Sequence, residues 1–181
     1  DVTEDQTVVL QTASAGASNA VPLFIVGDGY DAEEIASGKY MEDMKAQMEH
    51  FFSIEPFKSY RKYFTVSTAI ACSPESGVDG ETRFESENDG SLRGNSEMVW
   101  QYACAHGEGI SSAEEGDCTI MVLLNTSSTA NHTDITHWNG RTVSWVGKSN
   151  DTYPFDQKSQ VLREVGGVAF GKLGPEGISH F

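Results

Sequence analysis

Val21-Pro22-Leu23-Phe24-Ile25-Val26-Gly27-Asp28-Gly29-Tyr30 is an apolar run that stops on two glycines flanking an aspartate. A continuous apolar stretch of this length suits a strand buried on both faces, and the Gly-Asp-Gly that follows suits a tight turn. The turn lacks the G-x-x-x-x-G-K-[ST] and G-x-G-x-x-G spacings of phosphate loops, so it reads as a strand-to-helix connection. Asp31 can cap the helix that follows, where Glu33 and Glu34 complement the amino-terminal dipole. Ile35, Met41, Met44, Met48, Phe51 and Phe52 continue this as one helix with an apolar stripe at three- and four-residue spacing. Packing demands that periodicity, so the methionines are read as core and not as ligands.

Outward from this unit, Thr7 to Gln11 reads as a short strand and Ser14 to Asn19 as a loop of small residues. Phe64 to Ala71 supplies a second strand, with Val66, Thr68 and Ile70 alternating against Ser67 and Ala69. Residues 73 to 94 are rich in Gly, Ser, Glu and Asp and form the one long polar loop; loops of that size often carry function. Ser96 is the expected N-cap of a helix through Met98, Val99, Tyr102 and Ala103, ending near Gly107. Thr119 to Leu124 and Thr142 to Val146 read as further strands, and Gln157 to Lys172 as a final helix introduced by Phe155 and Asp156. Strands alternating with helices predict an α/β fold, one mixed sheet covered by helices, in a single domain over residues 1–181.

Composition narrows the function classes. Twelve basic against 27 acidic residues give a formal charge of −15, which repels phosphate backbones and anionic membrane surfaces. Nucleic acid is accordingly not an expected partner. No apolar run approaches the roughly 20 residues of a membrane helix, so membrane insertion is not expected. The first residue opens on a polar segment with no signal peptide before it, as in a mature or trimmed chain. Cys72, Cys104 and Cys118 lack the paired spacing of a zinc knuckle and read as buried small hydrophobes, with room for one disulfide.

Few residues carry obvious chemistry. His132 and His137 lie five apart in a Thr-rich segment with Asn131 and Asp134, where a flexible loop can bring imidazoles and a carboxylate onto one ion. Surface histidines near aspartates are common, so this is a weak ligand set. His106 reads as a helix carboxy-terminal cation, His50 as an ordinary late-helix residue, and His180 as a lone terminal histidine. Ser76 follows Pro74-Glu75 and precedes Gly77, without the G-x-S-x-G elbow or an assigned histidine, so it is not read as a nucleophile. Asn125, Asn131 and Asn150 begin N-x-[ST] triplets of a kind that chance supplies often.

Arg163-Glu164-Val165-Gly166-Gly167-Val168-Ala169-Phe170-Gly171-Lys172-Leu173 completes a larger pattern. With Phe24 to Tyr30, Gly38-Lys39-Tyr40, Glu55-Pro56-Phe57, Ser73-Pro74-Glu75-Ser76-Gly77 and Thr82-Arg83-Phe84, it resembles the family of bacterial zinc metallopeptidases named for the IgA peptidase. The resemblance covers most of the chain and implies a zincin-like arrangement, with the active helix packed beneath the sheet. In that family the last segment resembles H-E-x-G-G-H-x-F-G-K-L-x-D-E-Y, some members having the tighter H-E-x-x-H. Two imidazoles one turn apart hold zinc, and the glutamate takes a proton from the water that zinc acidifies.

Laid on this chain, the first histidine falls on Arg163 and the glutamate on Glu164. The second histidine falls on Val168, or on Gly167 in the shorter register. The aspartate that the resemblance implies as a third ligand falls on Pro175, and Glu176 and Gly177 complete that run. Glu164 is the only matched catalytic position, that of the general base. Arg163 either occupies the electropositive place of the metal or has drifted on a solvated face. Gly166 and Gly167 would each cost about 1 kcal/mol against alanine inside a helix.

The expectation is a domain that keeps the metallopeptidase fold without zinc or peptidase activity and with no cofactor, serving as a protein- or glycan-binding or structural domain. The alternative is an active zinc endopeptidase acting on protein or glycoprotein, with ligands outside the motif such as His132, His137 and His180. Family resemblance further implies a secreted, periplasmic or cell-surface protein.

Overall fold

The apolar run that opens the domain becomes the central strand. A computed structural model describes residues 3–14, 20–110, 119–135 and 142–148. Strand β1 (Thr7–Gln11) pairs antiparallel with β3 (Phe64–Ala69), and β2 (Val21–Asp28) runs parallel to β3 on one side and to β6 (Thr119–Leu124) on the other. Beyond β6, β8 (Thr142–Gly147) continues parallel, and β7 (His132–Ile135) closes the order antiparallel to β8. The order β1-β3-β2-β6-β8-β7 is a mixed sheet: four parallel strands between two antiparallel edges. A second, two-stranded sheet pairs β4 (Glu87–Asn88) with β5 (Leu92–Arg93).

Alternation along β2 sends side chains to two cores. Leu23 and Ile25 face the helices α1 (Ala32–Ala36) and α2 (Lys39–Phe51), joining Met44, Met48, Phe51, Met121 and Leu123. Phe24 and Val26 face the other way, toward α3 (Ser96–His106) and the segment 73–94, joining Val99, Tyr102, Phe84, Leu92 and Trp145. Both layers exclude water, which is why β2 and β6 show no polar alternation. The methionine stripe packs as expected, with Met44 fully buried.

Tyr40 ties this packing to the sheet. Its hydroxyl donates to Ala69 O at 2.6 Å and accepts from Gly27 N–H at 2.9 Å, so one side chain of α2 bridges the carboxyl ends of β2 and β3. Burial pushes the phenol up to about 12, although the Gly27 N–H opposes that shift.

Several expectations change. The helix predicted to run on from Asp31 is two helices, because Gly38 adopts a left-handed backbone (φ 88°) that caps α2 and ends the first segment. Asp31 does form the predicted cap, as a capping box in which its side chain accepts from Glu34 N and Glu34 returns to Asp31 N. The cap of α3 is Asn95, whose Oδ1 accepts from Met98 N at 3.1 Å, so Ser96 is the first helical residue. There its hydroxyl accepts from Trp145 Nε1 at 3.2 Å.

The strand predicted to reach Ala71 ends at Ala69, the one predicted to stop at Val146 reaches Gly147, and residues 132–135, predicted as loop, form β7. Residues 73–94 hold the short β4–β5 pair and bury Phe84, Leu92, Thr82 and Ser86, while 74–76, 79–81 and 87–90 are exposed, so this long polar segment is pinned to the core at a few residues. Cys72 and Cys104 are half-buried, each packed against one of the two cores, and not fully buried as expected. Cys118, the loop residues 15–19 and the predicted final helix lie outside the described residues. Among the described residues no helix is long and apolar enough to cross a membrane.

Removing the Tyr40 hydroxyl isolates its contribution from that of its ring. Tyr40→Phe should lower unfolding free energy by about 1–3 kcal/mol, since it leaves buried Gly27 N–H and Ala69 C=O without that partner. Urea denaturation followed by tryptophan fluorescence measures the loss, and an unchanged midpoint would show that the hydroxyl is dispensable.

Candidate functional site

Parallel pairing places the carboxyl ends of β2, β3, β6 and β8 along one edge of the sheet. The chain passes from β2 to β3 on one side, then crosses to β6 on the other side of β2. Open α/β sheets bind ligands in the crevice at such a reversal of strand order. Here that crevice collects Asp28, Gly29, Tyr30, Ser73, Ser76, Asn125 and Lys148, with Glu34, Lys39 and Asp43 reaching in from the first two helices.

The inner layer centres on Asp28, whose carboxylate is completely buried at the end of an apolar strand. Its Oδ1 accepts from Gly29 N–H at 3.1 Å and from the Ser73 hydroxyl at 3.0 Å. Its Oδ2 accepts from Phe84 N–H at 3.3 Å and from the Ser86 hydroxyl. Ser73 Oγ in turn accepts from Gly29 N–H and Arg83 N–H, both at 3.0 Å. The carboxylate thus holds the segment 73–86 onto the end of β2 with every bond satisfied inside the protein.

The outer layer is a charge network around Asn125. Its Nδ2 donates to Gly29 O at 3.0 Å and to Glu34 Oε1 at 2.8 Å, while its Oδ1 accepts from Lys39 Nζ at 3.2 Å and from Lys148 Nζ. Asp43 lies 3.4 Å from Lys39 and 3.8 Å from Lys148, and it accepts from the Tyr30 hydroxyl at 2.7 Å. Lys39 also sits 3.5 Å from Glu34 and over the Tyr30 ring, 4.8 Å from its centroid. Two ammonium groups and the Glu34 carboxylate share one amide, and the Asp43 carboxylate lies between the two ammonium groups.

The ionisation of this network follows from its geometry. Burial raises the Glu34 carboxyl, but hydrogen bonds from Asp31 N–H, Asn125 and Ser76, with Lys39 beside it, outweigh that and hold it below its ordinary value. Burial lowers Lys148, and the neighbouring Lys39 ammonium lowers it further. Burial raises the Tyr30 phenol, and the Asp43 carboxylate raises it again, so Tyr30 stays a proton donor. Ser76 donates to Glu34 Oε1 at 3.0 Å, and among the described residues no imidazole is bonded to it. Among the described residues the arrangement is a network of hydrogen bonds and ion pairs that fixes these side chains against one another.

Residues 8–100, 93 of the 181, match the family described as IgA Peptidase M64. The chain belongs to that family. A comparison with curated proteins finds no match. The matched stretch spans the first three strands of the large sheet, both early helices, the segment 73–94 and the start of α3, and therefore the whole Asp28 layer.

This family member divides its predicted site residues unevenly. His132 opens β7, half-buried and opposite Trp145, which places it on the α3 side of the sheet. Among the described residues no group of three or more His, Cys, Asp or Glu is placed to hold a metal ion. Arg163, Glu164, Gly167, Val168, Pro175, His137 and His180 lie outside the described residues. His106 packs at a tilt against Tyr102, with centroids 4.6 Å apart, at the last turn of α3 as expected.

Sequence reading missed Asp28, Ser73, Asn125 and Lys148 as a group. The one local signal was Asp28 itself, an aspartate ending a run of buried apolar residues, which must find donors. Asn125 and Lys148 carry no such mark, because only strand pairing brings them to the crevice.

Two measurements probe the layers separately. Asp28→Ala should cost about 3 kcal/mol or more, because Phe84 N–H and two hydroxyls lose a buried charged acceptor. It should also open residues 74–94 to limited proteolysis. Glu34 gives a pH signature. Its folded pKa lies below the ordinary 4.5, so its contribution to stability is complete above that value and disappears as pH falls through the folded value. Glu34→Gln should therefore flatten the acid limb of the stability profile below pH about 4.5 relative to wild type.

Proposed function

We propose that this chain is a member of the IgA-peptidase family that has lost zinc and peptidase activity and acts as an exported protein- or glycan-binding domain. The observation that carries the reading is the residue set aligned with the zinc ligands: Arg163, Gly167 or Val168, and Pro175. Zinc binds thiolate, neutral imidazole or carboxylate. A guanidinium stays protonated, and glycine, valine and proline side chains offer no donor, so this set does not fit the metal. Glu164 then has no metal-bound water to deprotonate.

A binding role is supported by what the fold keeps. The hydrogen bonds of the Asp28 layer run between residues 28 and 86, far in sequence from the zinc segment. Strand β7 ends the sheet order among the described residues, and an extended polymer can add to such an edge by main-chain hydrogen bonds. Of the alternative ligands His132, His137 and His180, the described one, His132, lies on the face of α3.

Metal analysis of untagged protein tests the reading. The expected result is no stoichiometric zinc and no peptide cleavage sensitive to chelator. The triple substitution Arg163→His, Val168→His, Pro175→Asp should raise zinc retention toward one per chain. Stoichiometric zinc in the wild-type chain, with chelator-sensitive cleavage, would overturn the loss of function.

A further inference from the structure

Residues 56–74 contain no aspartate or glutamate, in a chain with 27 of them, and within that stretch Lys58-Ser59-Tyr60-Arg61-Lys62-Tyr63 carries three of the twelve basic residues. The fold puts this hexapeptide on the surface, in the turn and short 3₁₀ segment (Arg61–Tyr63) between α2 and β3. Tyr60 is 57% exposed, one of two exposed large hydrophobics among the described residues. Lys58, Ser59 and Lys62 are exposed beside it. An open groove of about 440 Å³ is lined by Lys58, Ser59, Arg61 and Lys62 together with Gln11, Thr12 and Ser14.

The groove is partly rigid and partly free. Arg61 holds Glu49 with two bonds of 2.8 and 2.7 Å and donates from Nε to Gln11 Oε1 at 2.8 Å, while its guanidinium lies over Phe52. Its charge is thereby neutralised and its position fixed. Glu55 is engaged with Ser59 N–H at 3.2 Å. Lys58 and Lys62 form no ion pair among the described residues; Lys62 Nζ stands 5.4 Å from the centroid of the Tyr63 ring, and that ring lies 6.0 Å from the Tyr60 ring. The groove therefore offers two cations and the hydroxyls of Thr12, Ser14 and Ser59, and Tyr60, next to Ser59 in the chain, adds an exposed aromatic face outside the lining.

We infer that this groove binds a carboxylated saccharide, a glycan bearing uronic or sialic acid, with its carboxylate on Lys58 and Lys62 and a pyranose face on Tyr60. The polarised C–H groups of a sugar ring meet the negative face of an aromatic ring, and the ring hydroxyls meet the polar lining. Net charge restricts the class further. At −15 the molecule repels densely charged polyanions, whereas single carboxylates spaced along a neutral polymer are attracted only by the local cations. The inference rests on the binding role proposed above and names its ligand class.

The test is nitrogen-15 chemical-shift mapping on the full chain, titrated with a tetrasaccharide of alternating glucuronic acid and N-acetylglucosamine. Chitotetraose serves as the neutral control and a poly-glutamate peptide as the acidic one. Expected are shifts confined to residues 11–14 and 58–63, with the acidic saccharide only, weakening as salt rises. Lys58→Glu with Lys62→Glu should weaken binding by more than about tenfold, and Tyr60→Ala by about threefold or more. These positions are exposed, so circular dichroism should be unchanged. Absence of shifts at 58–63, equal binding of chitotetraose or of poly-glutamate, or indifference to the substitutions would overturn the inference. A zinc-loaded, active protein would overturn the loss of peptidase activity while leaving the saccharide result standing.

Discussion

A single buried carboxylate at the end of β2 decides how this molecule is assembled at its polar edge. Asp28 is fully buried, and burying a charge is costly unless donors surround it. Its donors come from Gly29, Ser73, Phe84 and Ser86, residues that only a particular path of the segment 73–86 can deliver together. The carboxylate thus pins a stretch of Gly, Ser and acidic residues, with little apolar content, onto the end of β2. Phe84 and Leu92 then complete the core on the α3 side.

Tyr40 does the matching work on the opposite side of the same strand end. Its hydroxyl joins β2 to β3 while its ring packs edge-on against Tyr30, with centroids 5.2 Å apart. The approach is close enough that a Cβ at Gly27 would fall 2.7 Å from the Tyr40 ring. Gly27 and Asp28, adjacent in sequence, therefore serve opposite faces: one makes room for α2, the other anchors the long segment. The outer network of Lys39, Asp43, Asn125 and Lys148 sits on top of both and is arranged by them.

How much of this was legible in the sequence depended on the range of the interaction. The strand 21–26, the methionine stripe and the Asp31 cap are local patterns, set by periodicity and by a side chain reaching its own backbone, and they appear where expected. Helix continuity failed at Gly38, because an apolar stripe keeps its spacing across a left-handed residue and conceals the break. β7 was missed since its Thr-rich sequence has no alternation of its own and exists as a strand through pairing with β8. The crevice was invisible for a related reason. Asn125 and Lys148 lie 97 and 120 positions beyond Asp28, and strand order, not local pattern, brings them beside it.

This division bears on how a family scaffold can outlive its chemistry. The match to the family ends at residue 100 and contains the anchoring carboxylate with all its donors, whereas the zinc positions implied by the sequence resemblance fall at 163–175. On the proposed reading, the replaced ligand positions lie apart in sequence from the Asp28 bonds, all of which form between residues 28 and 86. A metal bound only by the folded state would stabilise it in proportion to its affinity, so losing that metal exposes the scaffold to a stability deficit. A carboxylate with four internal donors and a tyrosine bridging two strands supply the polar edge with cohesion that no ligand has to provide. A fold held this way can shed its catalytic ion and remain a surface on which binding can evolve.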